Sequence, residues 1–435
     1  MARRVLAPAA LSGSTRSVLV RRSLLAVLPA WFTSRAVVLA TLELARRFVS
    51  QLHPTNPSAA LRAHEGLLAW DAGWYQTLAR GGYAAGGTQS LRFFPGFPLL
   101  ARALADLPGV STGAALVVIA NVATLVGLAV VHRLVVTDLG DEAMAGRTVW
   151  LLVLGPAAYV LVMGYSEGLF LLCTATGLLA VRQGRWWLAA GAGFVAGTVR
   201  PLGVLLVVPF LVEGARPYAA RWWATEPAFA RAVHDVRQRH SRAASAGQGP
   251  AAAGQRLATA GAASSGSPLP SVRSLAVRVV AGAAPLAGIG AYLGWVGATY
   301  GNALLPFEVQ TQGGHRGPLT QPFTSMLHNA AAFLHGHHVG SALHIPWVLL
   351  ALVLLVVAAR RLPASYSLFA AAMLVVSLSS TNLDSFERYA LSAFPLVIAG
   401  AAVTTRPEVW RVVLVGAAAA LVGYGLLAFL GIVVP

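Results

Sequence analysis

Apolar segments long enough to cross a lipid bilayer recur along most of the chain, and they constrain its fold more than any other feature. Of the 435 residues, 57% are hydrophobic and only 11% are charged, whereas about 25% of the residues in soluble domains are charged. Lipid must therefore be the main solvent of this chain. A bilayer requires every backbone group to be paired, and the alternation typical of membrane strands is absent from the sequence. The sequence predicts an all-α polytopic membrane protein that forms one membrane unit.

Windows of spanning length give the number of membrane segments. They lie at 24–49, 113–136, 147–164, 274–298, 343–359, 363–380, 388–404 and 409–434. Residues 165–181 fit a short return span after a polar notch, and residues 186–212 form one apolar run that is interrupted at Arg200-Pro201. Proline disfavours a helix at the residue before it, so we expect a helical hairpin that turns at this point. The total is about eleven membrane segments in a transmembrane bundle.

The charge pattern supports the hairpin and orients the chain. The formal net charge is +17, and the arginines that dominate it form short clusters between the apolar runs. With a hairpin at Arg200-Pro201, all these clusters fall on the cytoplasmic side, as the positive-inside rule requires, whereas a single crossing would invert the pattern in the second half. Short, separated clusters also argue against a nucleic-acid-binding patch. We expect a multi-pass protein of the plasma membrane.

Composition divides the chain into four parts. Residues 1–22 form a basic cytoplasmic N-terminus, and residues 23–212 form an N-terminal membrane part whose first outer loop is 50–112. Residues 213–273 become rich in Ala, Gly, Ser, Gln and Arg without periodicity, which predicts a disordered basic cytoplasmic linker. Residues 274–435 form the C-terminal membrane part. The single cysteine, Cys173, can form no intramolecular disulfide.

The same topology gathers the polar residues on the non-cytoplasmic side. Four outer stretches, 50–112, 164–167, 299–342 and 381–388, contain acids, amides, arginines and tyrosines, whereas the cytoplasmic loops are merely basic. The polar residues in or beside these stretches are Asp71, Arg92, Tyr165, Glu167, Glu308, Gln310, Gln312, His315, Arg316, Asp384, Glu387, Arg388 and Tyr389. We therefore predict that the functional site lies on the outer face.

The first outer loop places an acid among aromatic residues. Asp71 follows Trp70 and precedes Trp74 and Tyr75. Aromatic rings stack on the C–H faces of sugars, and a carboxylate can bind or deprotonate a hydroxyl, so this pattern predicts a sugar site. The alternative is that the aromatic residues form an interfacial belt and that Asp71 caps a short helix.

Several segments, in the same order along the chain, resemble the PIG-V-like mannosyltransferase family. Trp70-Asp71, together with Tyr75, Gly82-Tyr83 and the Phe-Phe-Pro-Gly-Phe-Pro of 93–98, resembles that family's first loop. Residues 165–170, Tyr-Ser-Glu-Gly-Leu-Phe, are similar to its Tyr-Ser-Glu-Ser-Leu-Phe stretch. Further matches are 197–203, Phe307 with Gln310, and Arg388-Tyr389 ahead of Phe394-Pro395. The bias towards Ala, Arg and Gly indicates a bacterial member with a high-GC genome.

The chain also departs from the family pattern. Pro201 and Leu202 replace a Ser and an Asn, and Gly313-Gly314-His315-Arg316 stands where an ending similar to Trp-Gly-Arg is expected. These departures leave the identity of the acceptor open.

The resemblance implies a GT-C glycosyltransferase that inverts the configuration of the sugar it transfers. Its donor would be polyprenyl-phosphate mannose, with a pentose such as arabinofuranose as the alternative, and its acceptor a glycolipid, polysaccharide or protein on the outer face. Asp71 would be the general base, and Glu167 would be a ligand of the acceptor hydroxyl or a second catalytic acid. The implied substrate-binding residues are Trp70, Tyr75, Arg92, Tyr165, Arg200, Gln310, Arg316, Arg388 and Tyr389. Arg388 and then Arg200 are the first candidates for binding the phosphate. No metal or other cofactor is implied, and a divalent cation stays compatible with the sequence.

Some of these polar residues also have structural interpretations. Arg200 could end a half-helix by binding carbonyl groups, and Glu167 could cap the span that it precedes. Arg35, inside the first predicted span, needs a partner such as Glu43. Four histidines suggest a metal site, but they lie in a glycine-containing loop without an accompanying carboxylate, which favours loop histidines. These are His335, His337, His338 and His344.

Two other functions use the same broad features. A secondary transporter would share the number of spans and the broken helix, but it should carry its polar groups at the bilayer midplane with paired interruptions in two halves. A non-catalytic scaffold or lipid-binding subunit predicts that Asp71 is dispensable.

Overall fold

The structure, a computed structural model, describes residues 13–52, 57–225, 271–312, 315–335 and 344–435. In chain order its helices are α1 (Gly13–Leu52), α2 (Pro57–Glu65), α3 (Asp71–Gly86), α4 (Gly96–Ala105), α5 (Thr112–Leu139), α6 (Glu142–Leu154), α7 (Glu167–Arg182), α8 (Trp186–Val199), α9 (Val207–Thr225), α10 (Val272–Tyr300), α11 (Leu305–Gln310), α12 (Pro322–Leu334), α13 (Ile345–Arg361), α14 (Ala364–Leu378), α15 (Phe386–Ser392), α16 (Pro395–Val403) and α17 (Pro407–Phe429). An isolated antiparallel bridge joins Leu319 to Ser380.

Several of these helices are long and apolar enough to cross a membrane, which confirms the predicted all-α membrane fold. Within the described residues the candidates are Val20–Gln51, Thr112–Leu139, Pro201–Tyr218, Val272–Tyr300 and Pro407–Phe429. The window 388–404, predicted as one span, is instead two helices, α15 and α16, which meet at an angle of 83°. Pro395 lies at the start of α16 and cannot continue the hydrogen bonds of α15. The total of about eleven membrane segments stays a prediction.

The chain turns back on itself at Arg200, as the sequence predicts. At one end of α7, Glu167 binds the guanidinium of Arg200, which follows α8. At the other end of α7, Arg182 Nη1 lies 3.0 Å from Oε1 of Glu213 in α9. The chain therefore runs through α8 towards the Glu167 end of α7. It returns through α9 towards the Arg182 end.

A 3₁₀ segment, Pro201–Leu206, makes this turn compact. Arg200 itself is extended, with φ −151° and ψ 148°. Gly203 packs directly on the end of α8, where a Cβ atom would lie 2.2 Å from the carbonyl of Ala196. The close approach of two backbones therefore requires glycine at this position.

Arginines from the clusters predicted to be cytoplasmic lie together at the Arg182 end of the bundle. Nε of Arg147 and Nη1 of Arg361 both donate to carbonyls in the last turn of α16, at 3.0 and 2.8 Å. Arg361 ends α13, and Ser365 in the first turn of α14 donates to Oε1 of Glu213 at 2.6 Å. The Glu167 end of α7 is the opposite end, where the predicted outer stretches lie.

Two sequence predictions are wrong in detail. The disordered linker was predicted for 213–273, but α9 continues to Thr225 and α10 begins at Val272. The ion pair between Arg182 and Glu213 fixes the first part of α9 to α7, so this part of the segment is ordered. Residues 226–270 of the predicted linker lie outside the described residues.

The second error concerns the partner of Arg35. Its Nε donates to Oδ1 of Asn121 at 2.9 Å, and its Nη2 donates to the carbonyl of Leu161 at 3.0 Å. Glu43 instead binds Arg47, four residues away. Eight residues of helix separate Arg35 from Glu43 by about 12 Å, so a neighbouring helix supplies the nearer partner.

Candidate functional site

Asp71 lies at the first position of α3 and binds an arginine from the distant end of the chain. Its Oδ2 accepts a hydrogen bond from Nη1 of Arg388 at 2.6 Å, and its backbone N–H donates to the hydroxyl of Tyr165 at 3.2 Å. The residue at the cap of α3 is Trp70, which makes no side-chain cap bond. The carboxylate of Asp71 is thus paired with a cation rather than used as a helix cap.

Glu167, the first residue of α7, lies between two guanidinium groups. Its Oε1 accepts a hydrogen bond from Nη1 of Arg200 and lies 3.2 Å from Nε of Arg388. The carboxylate is 3% exposed, compared with 25% for Asp71. Among the described atoms, Oε2 of Glu167 is buried without a hydrogen-bond partner. The structure therefore supports neither the cap expected for Glu167 nor the carbonyl contacts expected for Arg200.

Three arginines surround the ring of Tyr389. The guanidinium carbons of Arg316, Arg200 and Arg388 lie 4.4, 5.5 and 5.8 Å from the ring centroid. Arg316 is held in place because its Nη2 donates to Oγ of Ser380 at 2.8 Å. Cation–π attraction offsets part of the repulsion among neighbouring cations. Tyr389 therefore brings together three positive charges that come from three separate parts of the chain.

Arg92 adds a fourth cation at the edge of this group. Its guanidinium carbon lies 4.9 Å from the centroid of Phe93 and 5.6 Å from that of Trp74, and it contacts Nδ1 of His315. Burial lowers the pKa of Arg92, and the negative charge of Asp71 partly offsets that effect. Four arginines and two carboxylates, Asp71 and Glu167, give this cluster a formal charge of +2.

Two glutamines beside Arg92 were not among the predicted site residues. Nε2 of Gln89 donates to Oε1 of Gln312 at 3.0 Å, and Oε1 of Gln89 lies 2.9 Å from Nε2 of His315. The predicted residue, Gln310, contributes its backbone carbonyl, which accepts from the N–H of Arg316 at 3.2 Å. Gln312 and His315 lie in the same outer stretch, and this could have indicated Gln312 as a site residue. The sequence does not show which side chain of that stretch faces the first loop.

Tyr75 and Trp70 form hydrogen bonds with residues next to the cluster or at the end of α17. The hydroxyl of Tyr75 lies 2.9 Å from Oγ of Ser166, next to Glu167. The indole N–H of Trp70 donates to the carbonyl of Ala428 at 2.9 Å. Both side chains are predicted to bind substrate, and in the structure both form hydrogen bonds within the protein.

His344 forms a second polar group near the site. Its Nδ1 lies 2.7 Å from Oε2 of Glu387, and its Nε2 lies 3.7 Å from Oδ1 of Asp384. The prediction of loop histidines without a carboxylate is wrong for His344, because both acids come from a later part of the chain. Within the described residues, no group of three or more His, Cys, Asp or Glu has the arrangement of a metal site.

The four predicted outer stretches therefore meet at one end of the bundle. Asp71 and Arg92 come from the first stretch, Glu167 from the second, Arg316 from the third, and Arg388 from the fourth. Backbone contacts also join the third and fourth stretches, since the N–H of residue 382 donates to the carbonyl of Arg316 at 3.1 Å.

Comparison with known families gives a match to part of the chain. A family model described as mannosyltransferase (PIG-V) matches residues 14–211. The matched range contains Asp71, Glu167 and Arg200, whereas Arg316 and Arg388 lie beyond it. No curated protein matches the chain.

Proposed function

Since the chain belongs to the PIG-V-like mannosyltransferase family, by the match over residues 14–211, and is a membrane glycosyltransferase, we propose that its donor is polyprenyl-phosphate mannose. The acceptor is a hydroxyl of a glycolipid, polysaccharide or protein. A lipid-linked donor can reach an enzyme with apolar spans by lateral movement in the bilayer. The observation that carries this proposal is the ion pair of Asp71 with Arg388. It places a carboxylate that can accept a proton beside a cation that can bind a phosphate.

Asp71 is the proposed general base. The acceptor oxygen forms a bond to C1 of the mannose, the bond from C1 to the phosphate oxygen breaks, and the hydroxyl proton moves to the Asp71 carboxylate. Attack on the face opposite the phosphate inverts the configuration at C1. Asp71 suits this role better than Glu167, because a substrate can reach a carboxylate that is 25% exposed more readily than one that is 3% exposed.

The arginines are the proposed site for the phosphate. A phosphodiester donor carries one negative charge, and the polyprenyl phosphate that leaves carries up to two. A cluster with a formal charge of +2 therefore interacts more strongly with the departing phosphate than with the bound donor, and this difference accelerates the reaction. When the phosphate attracts Arg388, it also frees Oδ2 of Asp71 to accept a proton.

Glu167 holds the arginines in place in this mechanism. Its Oε1 contacts both Arg200 and Arg388. A buried carboxylate between two guanidinium groups reduces their mutual repulsion, so both can stay near the position of the phosphate. We therefore assign Glu167 to positioning rather than to proton transfer.

Transfer of radiolabelled sugar tests the donor. The purified protein in liposomes is incubated with a membrane extract as acceptor and with one donor at a time: polyprenyl-phosphate mannose, polyprenyl-phosphate arabinofuranose or a nucleotide-linked mannose. We expect label in the extract from the first donor only. Label from the arabinofuranose donor alone, or from the nucleotide donor alone, would contradict the proposal. Separation of the labelled product into lipid, polysaccharide and protein fractions identifies the acceptor class.

Cysteine labelling tests the proposed outer position of the site. Two single-cysteine variants, Leu319→Cys and Ala143→Cys, are made after replacing Cys173 by Ser. Leu319, near Arg316, is 79% exposed, and Ala143 is an exposed residue near the arginines at the opposite end. In intact cells, a membrane-impermeant maleimide should label only the cysteine at 319, and both should react after permeabilisation. Labelling at 143 alone before permeabilisation would place the site on the cytoplasmic side.

A further inference from the structure

Two residues with strained backbones lie next to the two members of the Asp71–Arg388 ion pair. In the described part of the chain, Trp70 (φ 61°) and Ser385 (φ 66°) are the non-glycine residues with positive φ. Trp70 directly precedes Asp71, and Ser385 lies three residues before Arg388. Residues other than glycine rarely adopt positive φ, and they keep it only when surrounding contacts hold them there.

Both strained residues are held by the same segment, Ala428–Pro435. The indole N–H of Trp70 donates to the carbonyl of Ala428 at 2.9 Å, and Oγ of Ser385 donates to the carbonyl of Pro435. The ring of Trp70 also contacts Arg62, whose guanidinium carbon lies 4.3 Å from the ring centroid.

Part of the segment is packed against the rest of the protein, although Ile432 and Val434 are exposed. Gly431 turns the chain with φ +69°, and a Cβ atom at this position would lie 3.0 Å from Cβ of Ser58. Val433 is buried. A segment fixed in this way can hold the side chains bonded to it.

We propose that the segment Ala428–Pro435 positions the Asp71–Arg388 pair by holding Trp70 and Ser385 in their strained conformations. The backbone of Trp70 sets the direction in which the N–H of Asp71 points, and this N–H donates to the hydroxyl of Tyr165. Ser385 lies at the cap of α15, the helix that carries Arg388. Trp70 and Ser385 are thus positioning residues, and their catalytic consequence rests on the proposed function of Asp71 and Arg388.

Trp70→Phe tests the contact with Ala428. Phenylalanine keeps an aromatic ring but cannot donate the hydrogen bond. We expect kcat to fall by about 10- to 100-fold, with KM for both substrates within about twofold, because a small misplacement of a catalytic group can cost up to about 10²-fold. Trp347→Phe is the matched control, since it removes an indole bond of 2.7 Å to Tyr424 on the same helix, α17. An equal fall in kcat for both variants, or no fall for Trp70→Phe, would overturn the proposal.

Two substitutions of Ser385 separate strain from a simple hydrogen bond. Ser385→Ala and Ser385→Gly both lose the bond to Pro435, but only glycine adopts positive φ without strain. If the segment holds a strained backbone, the alanine variant loses about tenfold in kcat and the glycine variant stays close to the unmodified protein. Equal losses, or a larger loss with glycine, would show that the bond does not serve this purpose.

Asp71→Asn, assayed in parallel, distinguishes the two levels of inference. If it retains full transfer, the proposed function fails, whatever the Trp70 and Ser385 variants do. If it is inactive while Trp70→Phe and Ser385→Ala keep the kcat of the unmodified protein, the positioning role alone fails. Thermal unfolding of each purified variant identifies any loss of kcat that reflects unfolding.

Discussion

Asp71→Asn is expected to abolish measurable sugar transfer. Asparagine has nearly the same shape as aspartate, but it cannot take the proton of an acceptor hydroxyl. Loss of a general base lowers the rate by about 10²–10⁴-fold. The rate that remains is expected to lie at or below the background of a radiolabel assay. The change also removes the negative charge that pairs with Arg388 at 2.6 Å. Initial rates with polyprenyl-phosphate mannose, at saturating donor and acceptor, provide the measurement.

Asp106→Asn is the matched control for this prediction. Asp106 is another aspartate of the first outer stretch, and it is exposed at the end of α4. It should keep the rate of the unmodified protein. If the Asp71 variant retained more than about a tenth of that rate, it would retain far more than removal of a general base allows, and another group would have to accept the proton.

Arg388→Gln is expected to have the second largest effect, on both activity and stability. The guanidinium bridges Asp71 and Glu167, so its removal leaves two carboxylates near each other without their shared cation. Breaking a buried pair in this way costs about 3–5 kcal/mol in free energy of unfolding. If Arg388 stabilises the departing phosphate as proposed, its loss should lower the rate by about 10²–10³-fold. Thermal unfolding and initial rates measure the two effects separately.

Two further variants show whether the bridge or merely the charge is important. Arg388→Lys keeps a positive charge, but a compact ammonium group cannot span both carboxylates, so we expect its rate and stability to lie between those of the glutamine variant and the unmodified protein. Combining Arg388→Gln with Asp71→Asn removes one of the two repelling charges. The double variant should unfold at a higher temperature than Arg388→Gln alone and remain inactive. A double variant less stable than both single variants would contradict the ion-pair interpretation.

The turn at Arg200 shows what can be predicted from the sequence. Pro201 removes a backbone donor and disfavours helix at the residue before it, and the arginine clusters on either side favour a return to the same face. Both effects act locally or through the sign of charge, so neither requires knowledge of tertiary contacts. The structure confirms the turn, with Glu167 and Glu213 marking the two ends of α7.

The partners in the ion pairs and hydrogen bonds of the candidate site, unlike the turn at Arg200, cannot be predicted from local sequence. Arg388 and Asp71 are 317 residues apart in the sequence, and no local pattern shows which arginine binds which carboxylate. The same holds for His344, which binds an acid 43 residues later, and for Gln312, whose side chain accepts a hydrogen bond from Gln89 of the first outer stretch. The choice among such partners depends on the distances between helix ends, which the tertiary structure alone sets.

By itself, the sequence determined the all-α membrane class, the broken helix at Arg200 and the stretches from which the site is built. These features follow from hydropathy, proline geometry and charge, which are properties of short windows. Only the tertiary structure decided that Asp71 faces Arg388, that Glu167 lies buried between two arginines, and that the indole N–H of Trp70 bonds to the carbonyl of Ala428. The physical reason is that ion pairs and hydrogen bonds require atoms to approach within about 3 Å, and packing of distant segments determines which atoms do so.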